Sequence, residues 1–169
     1  PVITPDGRYV AFSSTATNLV PGITTVGDIY VRDLVAGTTV CASTSARTIY
    51  QLVVGTADTV SFNPAISDSG TYVAFETCSN APPPTYGRGM IFRYNQQSGL
   101  IDIVHSAAYV PATRYEDIRS LDLTPDGRFI AFVANNGSGI PGTNTAVYLW
   151  DAQSGVSAPV SVDLNDTVP

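Results

Sequence analysis

Nine residues, "TPDGRYVAF" at Thr4 to Phe12, return near the far end of the chain as "TPDGRFIAF" at Thr124 to Phe132. A looser copy, "SDSGTYVAF", lies between them at Ser67 to Phe75. The matching aromatics Phe12, Phe75 and Phe132 stand 63 and 57 residues apart. Such repetition narrows the fold sharply, because each repeat is one supersecondary unit that buries its apolar face only against a neighbour. A second signature follows each copy: "DIYVRDLVAG" (Asp28 to Gly37), "MIFRYNQQSG" (Met90 to Gly99) and "AVYLWDAQSG" (Ala146 to Gly155). In register, Tyr30, Phe92 and Tyr148 coincide, then Asp33, Asn95 and Asp151, then Gly37, Gly99 and Gly155.

The local chemistry of each unit specifies hairpins. In "LDLTPDGRFIAF", Pro125 presets φ for a turn, Asp126 can bond the backbone two residues on, and Gly127 accepts positive φ. Asp6 with Gly7, and Asp68 with Gly70, are read as the same turn in the other copies. Leu121 and Leu123 alternate before the turn, while "RFIAFVA" after it is apolar on both faces, as a strand covered on both sides should be. The second signature supplies a third strand ending in a turn at its glycine. A last strand follows in "TTVCAS", "LIDIVHS" or "SAPVSV". Each unit is thus four short antiparallel strands in a meander, with no room for a long helix. Approximate units are 1–60, 61–117 and 118–169. Phe12, Phe75, Phe132, Tyr30, Phe92 and Tyr148 form their core.

Composition agrees with an all-β chain of 169 residues, long enough for a substantial core. Hydrophobic residues make up 44% and charged ones 13%, a mixture that excludes disorder. Val, Ile, Thr, Tyr and Phe are abundant and Lys is absent, which excludes a helical bundle. A net charge of −6 argues against nucleic acid and against an anionic membrane surface. No apolar run of about 18 residues exists to span a bilayer, and no signal peptide is visible. The chain starts at Pro1 rather than Met, as expected of a processed product or a segment of something longer.

Four-stranded meanders repeated around an axis are the blades of a β-propeller. The stretches "PDGRYVAFSS", "NLVPG" and "DIYVRDLVAGTT" resemble the WD40-like PD40 repeats of TolB-type propellers, common in bacterial envelope and secreted proteins. The resemblance covers nearly the whole chain and implies an extracellular or periplasmic location. It implies no particular activity. The middle copy departs most, with Ser69 at the turn-aspartate position and "NAPPPTYGRG" (Asn80 to Gly89) in place of "NLVPG".

Closed propellers use roughly four to eight blades, so three leave a broad apolar face at each end. Two chains pairing into a six-bladed ring, blades of a longer propeller, or head-to-tail stacking into a filament would each cover them. The C-terminal "SVDLNDTVP" followed by "PVITPDGR" of another copy reads as an ordinary blade junction, which favours association through the ends. The expected role is structural or interaction-based and non-enzymatic. Prolyl-oligopeptidase and tricorn-type peptidases carry similar accessory propellers, a second reading; a TolB-like protein-binding propeller is a third.

Gly137, Gly139 and Gly142 have the spacing G-x-G-x-x-G, but a strand rather than a helix follows, so a hairpin loop is expected. His105, the sole histidine, lacks a G-x-S-x-G partner motif and reads as a polar edge-strand residue. The carboxylates of Asp6, Asp68 and Asp126 sit at hairpin tips of separate blades rather than across one cleft. The resemblance to PD40 repeats implies an oxygen-rich loop suited to calcium before "DIYV"; "GITTVGD" keeps only Asp28, leaving it a weak metal candidate. No other cofactor is implied. Cys41 and Cys78 read equally as one disulfide or as two small thiols. Asn136 and Asn165 head N-x-[ST] patterns. Tyr86, Tyr94, Tyr109, Tyr115 and Trp150 could form an exposed platform, although Tyr94 and Trp150 are expected between blades.

Overall fold

In the computed structural model, residues 1–80, 88–109, 121–135 and 145–161 are described. They form three four-stranded antiparallel sheets, each a simple meander in chain order. The first blade holds β1 (Val2–Ile3), β2 (Tyr9–Ser14), β3 (Asp28–Asp33) and β4 (Thr38–Cys41). An α-helix, α1 (Thr44–Val54), then leads to β5 (Thr59–Ile66), β6 (Tyr72–Ser79), β7 (Arg88–Asn95) and β8 (Ile101–Tyr109) of the second blade. The third holds β9 (Leu121–Leu123), β10 (Phe129–Asn135), β11 (Thr145–Asp151) and β12 (Val156–Pro159).

Register repeats as closely as sequence does. Phe12 pairs Tyr30, Phe75 pairs Phe92 and Phe132 pairs Tyr148 across the central strands of their sheets. Ring centroids in these pairs lie 5.9, 6.0 and 5.7 Å apart. Period-two alternation then gives every blade two different faces. One carries the repeated Phe and its aromatic partner. The other carries the preceding alanine (Ala11, Ala74 or Ala131) with the residue after that partner (Val31, Arg93 or Leu149).

The blades stack in sequence, the alanine face of each against the phenylalanine face of the next. Between the first and second lies one core cluster, with Ala11, Ile29 and Val31 packed on Val73, Phe75, Met90 and Phe92. Between the second and third lies another, with Ala74, Ile91 and Val104 packed on Leu123, Ile130, Phe132, Ala134 and Trp150. Burying each large apolar side chain stabilises by roughly 1.5–3 kcal/mol, so these two joints hold the molecule together.

Helix α1 is an element the sequence reading did not include, since each unit was expected to have no room for a long helix. Its 11 residues lie between the last strand of one blade and the first of the next, at one end of the first joint. Ala46 and Tyr50, four apart and therefore on one face, are fully buried in that joint's core. The Tyr50 hydroxyl accepts a hydrogen bond from the Ser79 backbone at 3.0 Å, tying the helix to β6. Gly55 ends it at φ 95°. Among the described residues, no helix is long and apolar enough to cross a membrane.

Candidate functional site

The repeated "TPDGR" turn is built in the same way at both outer blades. Thr4 Oγ1 donates to Asp6 Oδ1 at 2.5 Å, and the Arg8 backbone donates to the same carboxylate at 3.0 Å. Thr124, Asp126 and Arg128 repeat this at 2.6 and 3.0 Å. These donors hold both aspartates below the usual carboxylate range, the threonine hydroxyl contributing most. In the second blade Ser69 takes the aspartate's place and its Oγ accepts from the Thr71 backbone at 3.3 Å. Asp68, expected at the turn position, is one residue early: it matches Pro5 and Pro125. Where those prolines have no N–H, the Asp68 backbone donates to the Pro125 carbonyl of the next blade at 2.9 Å.

A second turn closes the last hairpin of each blade, between its third and fourth strands. The glycine N–H of Gly37, Gly99 and Gly155 donates to the carbonyl of Asp33, Asn95 and Asp151 respectively, at 3.0, 2.9 and 2.8 Å. In the outer blades the Asp is also gripped by the turn arginine: Arg8 on Asp33 at 2.8 Å and Arg128 on Asp151 at 2.8 Å. The guanidinium drives Asp33 far below the normal range and Asp151 down to about 2. The middle blade replaces both partners together. Thr71 stands for the arginine and Asn95 for the aspartate, and Gln97 reaches Thr71 Oγ1 at 3.4 Å.

The first turn also forms the contact between successive blades. The ring of Tyr9 lies against Gly70 so closely that an added Cβ there would come within 2.2 Å of it. The ring of Tyr72 lies on Gly127 in the same way, at 2.3 Å. Both glycines are buried and both have positive φ, so no other L-residue fits there without strain.

Arg93 adds a polar core to the second joint. It stands where the other blades have Val31 and Leu149, and is only 9% exposed. Its guanidinium stacks 4.3 Å from the Tyr72 centroid and 4.7 Å from that of Trp150. It donates to the Gly127 carbonyl at 2.5 Å and pairs with Asp102 at 2.7 Å. His105 lies on the edge strand β8, as expected, and its ring faces this joint, 5.1 Å from the Phe132 ring and 5.4 Å from Tyr148. Trp150 is buried in the joint and Tyr94 packs against the first joint's core.

Asp28, the calcium candidate, is 1% exposed and its oxygens are already engaged. Oδ1 accepts from Ser43 Oγ at 2.6 Å and from Arg47 at 2.7 Å, and Oδ2 accepts from Thr25 Oγ1 at 2.6 Å. A guanidinium therefore supplies the positive charge at this carboxylate. Among the described residues no group of three metal-ligating acids, histidines or cysteines forms. Cys41 and Cys78 lie in different blades and neither is in a disulfide. The side chains of Tyr86, Tyr109 and Tyr115, the glycines 137, 139 and 142, and the N-x-[ST] patterns at 136 and 165 lie outside the described residues.

What remains are the two end faces. The phenylalanine face of the first blade presents Ile3, 59% exposed, with Val10 and Phe12 half-buried. Tyr30 on the same face is buried, its hydroxyl donating to the Ala16 carbonyl at 3.2 Å. Burial raises its pKa, so the hydroxyl stays neutral. The alanine face of the third blade presents Val147 and Leu149, both more than a third exposed, around Ala131. A shallow depression of about 210 Å³ lies there, lined by Asp122, Thr124, Pro125, Phe129, Ala131 and Leu149 among others.

No protein-family model matches the chain, and no curated protein does. Solved structures do. The chain is similar to dipeptidyl peptidase 4 of Porphyromonas gingivalis at 15% identity and a TM-score of 0.60, over 95% of this chain and 25% of that one. It is similar to the β-propeller domain of the Trilobed protease of Pyrococcus furiosus at 17% identity and a TM-score of 0.53, over 91% of this chain and 40% of that one. A putative TolB from Agrobacterium tumefaciens matches at 15% identity and a TM-score of 0.50, over 93% of this chain and 46% of that one. The chain thus spans less than half the length of each. With three stacked four-stranded meanders and these neighbours, the chain has the fold of a β-propeller, of which it forms three consecutive blades.

Proposed function

We propose that the chain is a non-enzymatic interaction module, acting outside the cytoplasm, whose two end faces mate so that copies join third blade to first. A ring of two copies would have six blades; a joint that fails to close would give a fibre. One observation carries this reading: the two end faces, partly open at Ile3, Val10 and Phe12 on one and at Val147 and Leu149 on the other, are the two halves of a joint that the molecule already makes twice. Ala131, Val147 and Leu149 correspond to Ala11, Ile29 and Val31, which pack on the second blade. Val10, Phe12 and Tyr30 correspond to Val73, Phe75 and Phe92, which receive them. The extracellular or periplasmic location rests on the PD40-like repeat. Sedimentation velocity of the purified chain over rising concentration should reveal dimers or longer species, and electron microscopy would separate rings from fibres. A compact monomer at every concentration overturns the reading.

A second reading has the same faces meeting further blades of one longer polypeptide, such as the accessory propeller of a peptidase or a TolB-like protein-binding propeller. The partial coverage of its structural neighbours favours it. A hydrolase domain downstream in the parent gene would decide for the peptidase form. Capture of a partner from an envelope extract by the isolated chain would support the TolB-like one.

A further inference from the structure

Within each of the two internal joints, an aromatic ring at the start of a central strand is seated on the turn glycine of the following blade: Tyr9 on Gly70 and Tyr72 on Gly127. Among the described residues, the same series has one unused seat and one unused ring. Gly7 is the first blade's equivalent of Gly70 and Gly127. Its turn is already formed identically, with the glycine N–H donating at 2.8 Å to the carbonyl three residues back in all three blades. Its φ is +71°, against +73° and +75° in the two occupied turns. Yet a Cβ added at Gly7 would meet nothing within 4 Å, where the other two would strike a ring. At the opposite end, Phe129 is the equivalent of Tyr9 and Tyr72. It is half-buried beside the shallow depression of the third blade's outer face, with the Arg128 guanidinium 4.6 Å from its centroid, as Arg8 lies 4.8 Å from Tyr9.

We infer that Phe129 of one copy seats on Gly7 of the next, and that this contact fixes the register and direction of assembly. The inference rests on the proposed self-association and deepens it. Stacking of two first blades or of two third blades would leave both the ring and the seat unused. Only the joining of a third blade to a first uses both. The arrangement is therefore heterologous, with one donor end and one acceptor end on each molecule. The seat selects by shape, since a glycine in this backbone conformation leaves room for a flat ring that any side chain would fill.

The test uses two single substitutions and their mixture, read by sedimentation equilibrium, with thermal unfolding as the check on folding. Gly7→Asn places a Cβ on the seat while keeping a residue that tolerates positive φ. Phe129→Ala removes the ring. Each is expected to fold, and each alone to weaken association by about 10- to 100-fold, as loss of a central aromatic contact does. Mixed together, the Gly7→Asn chain still offers its ring and the Phe129→Ala chain still offers its seat. Their mixture should restore one strong joint and stop at a dimer of one copy of each. Self-association of the unaltered chain that neither substitution weakens overturns this inference while leaving the proposed assembly standing. The same holds for a mixture that behaves as the sum of its parts. A chain that never associates overturns both.

Discussion

The two joints of this molecule have equivalent positions and the same direction, yet they are held in different ways. The first is apolar, with Val31 facing Val73, Phe75 and Phe92, and a helix inserted at one end to add Ala46 and Tyr50 to its core. The second carries Arg93 at the position of Val31, stacked on Tyr72 and Trp150 and bonded to Gly127. It is further stitched by Asp68 to Pro125 at 2.9 Å and by the Ser157 hydroxyl to the Val104 carbonyl at 2.7 Å. The repeat dictates which faces meet. How firmly they are held depends on a few residues that differ between copies.

The largest effect is expected in the apolar joint. Phe75→Ala removes a fully buried ring where little can collapse into the space, at a cost of about 3–5 kcal/mol. For a chain of this length that is a fall in Tm of roughly 10 °C or more by calorimetry. A loss under about 1 kcal/mol would mean the first joint does not depend on that packing. Next come the seats. Gly70→Ala and Gly127→Ala combine backbone strain with a collision against a ring, together about 2–4 kcal/mol. Gly7→Ala has the strain alone and should cost about 1–2 kcal/mol in the monomer. Equal values at the three sites would remove the distinction between occupied and vacant seats.

Arg93 tests the polar joint. Arg93→Ala forfeits its stacking and its bond to Gly127, about 2 kcal/mol after allowing for the exposure of Asp102. Arg93→Leu, which copies Leu149, should recover part of that by refilling the space. If the leucine variant is no better than the alanine one in chemical denaturation, hydrogen bonding rather than packing holds the second joint.

The smallest effect sharpens the contrast between the middle blade and its neighbours. Asp33 and Asp151 have folded pKa values depressed by their arginines, so their contribution is complete above the ordinary value of 3.8 and is lost as pH falls through the folded pKa, about 2 for Asp151. Between those values the turn ending at Gly155 should lose amide protection, the turn ending at Gly37 should do so at still lower pH, and the Asn95 turn should not. Asp151→Asn should abolish the response in the third blade. A pH-dependent Asn95 turn would break the contrast.

Much of the fold could be read from the repeat, because strand pairing is local. The coincidence of Phe12 with Tyr30 across three copies is the pairing register itself. Helix α1 was hidden because "TIYQLVV" is rich in β-branched residues and follows the last expected strand of the first unit; only the Ala46–Tyr50 spacing and Gly55 mark it. The end faces were legible as a counting argument, three blades being too few. Their chemistry was not. The seating of Tyr9 on Gly70 joins residues far apart in sequence, and nothing near Arg93 announces that Tyr72 and Trp150 will lie beside it. The edge-strand place of His105 was legible, but its ring partners were not, because they belong to the next sheet.

Pro5 and Pro125 carry a last consequence. Of the three equivalent turns, only the one with Asp68 has an amide proton to offer the following blade. A third blade meeting a first would depend on Pro125, which has none. Any such seam would lack the backbone bond that Asp68 gives the second joint. It would part under dilution or tension while the blades themselves stayed intact.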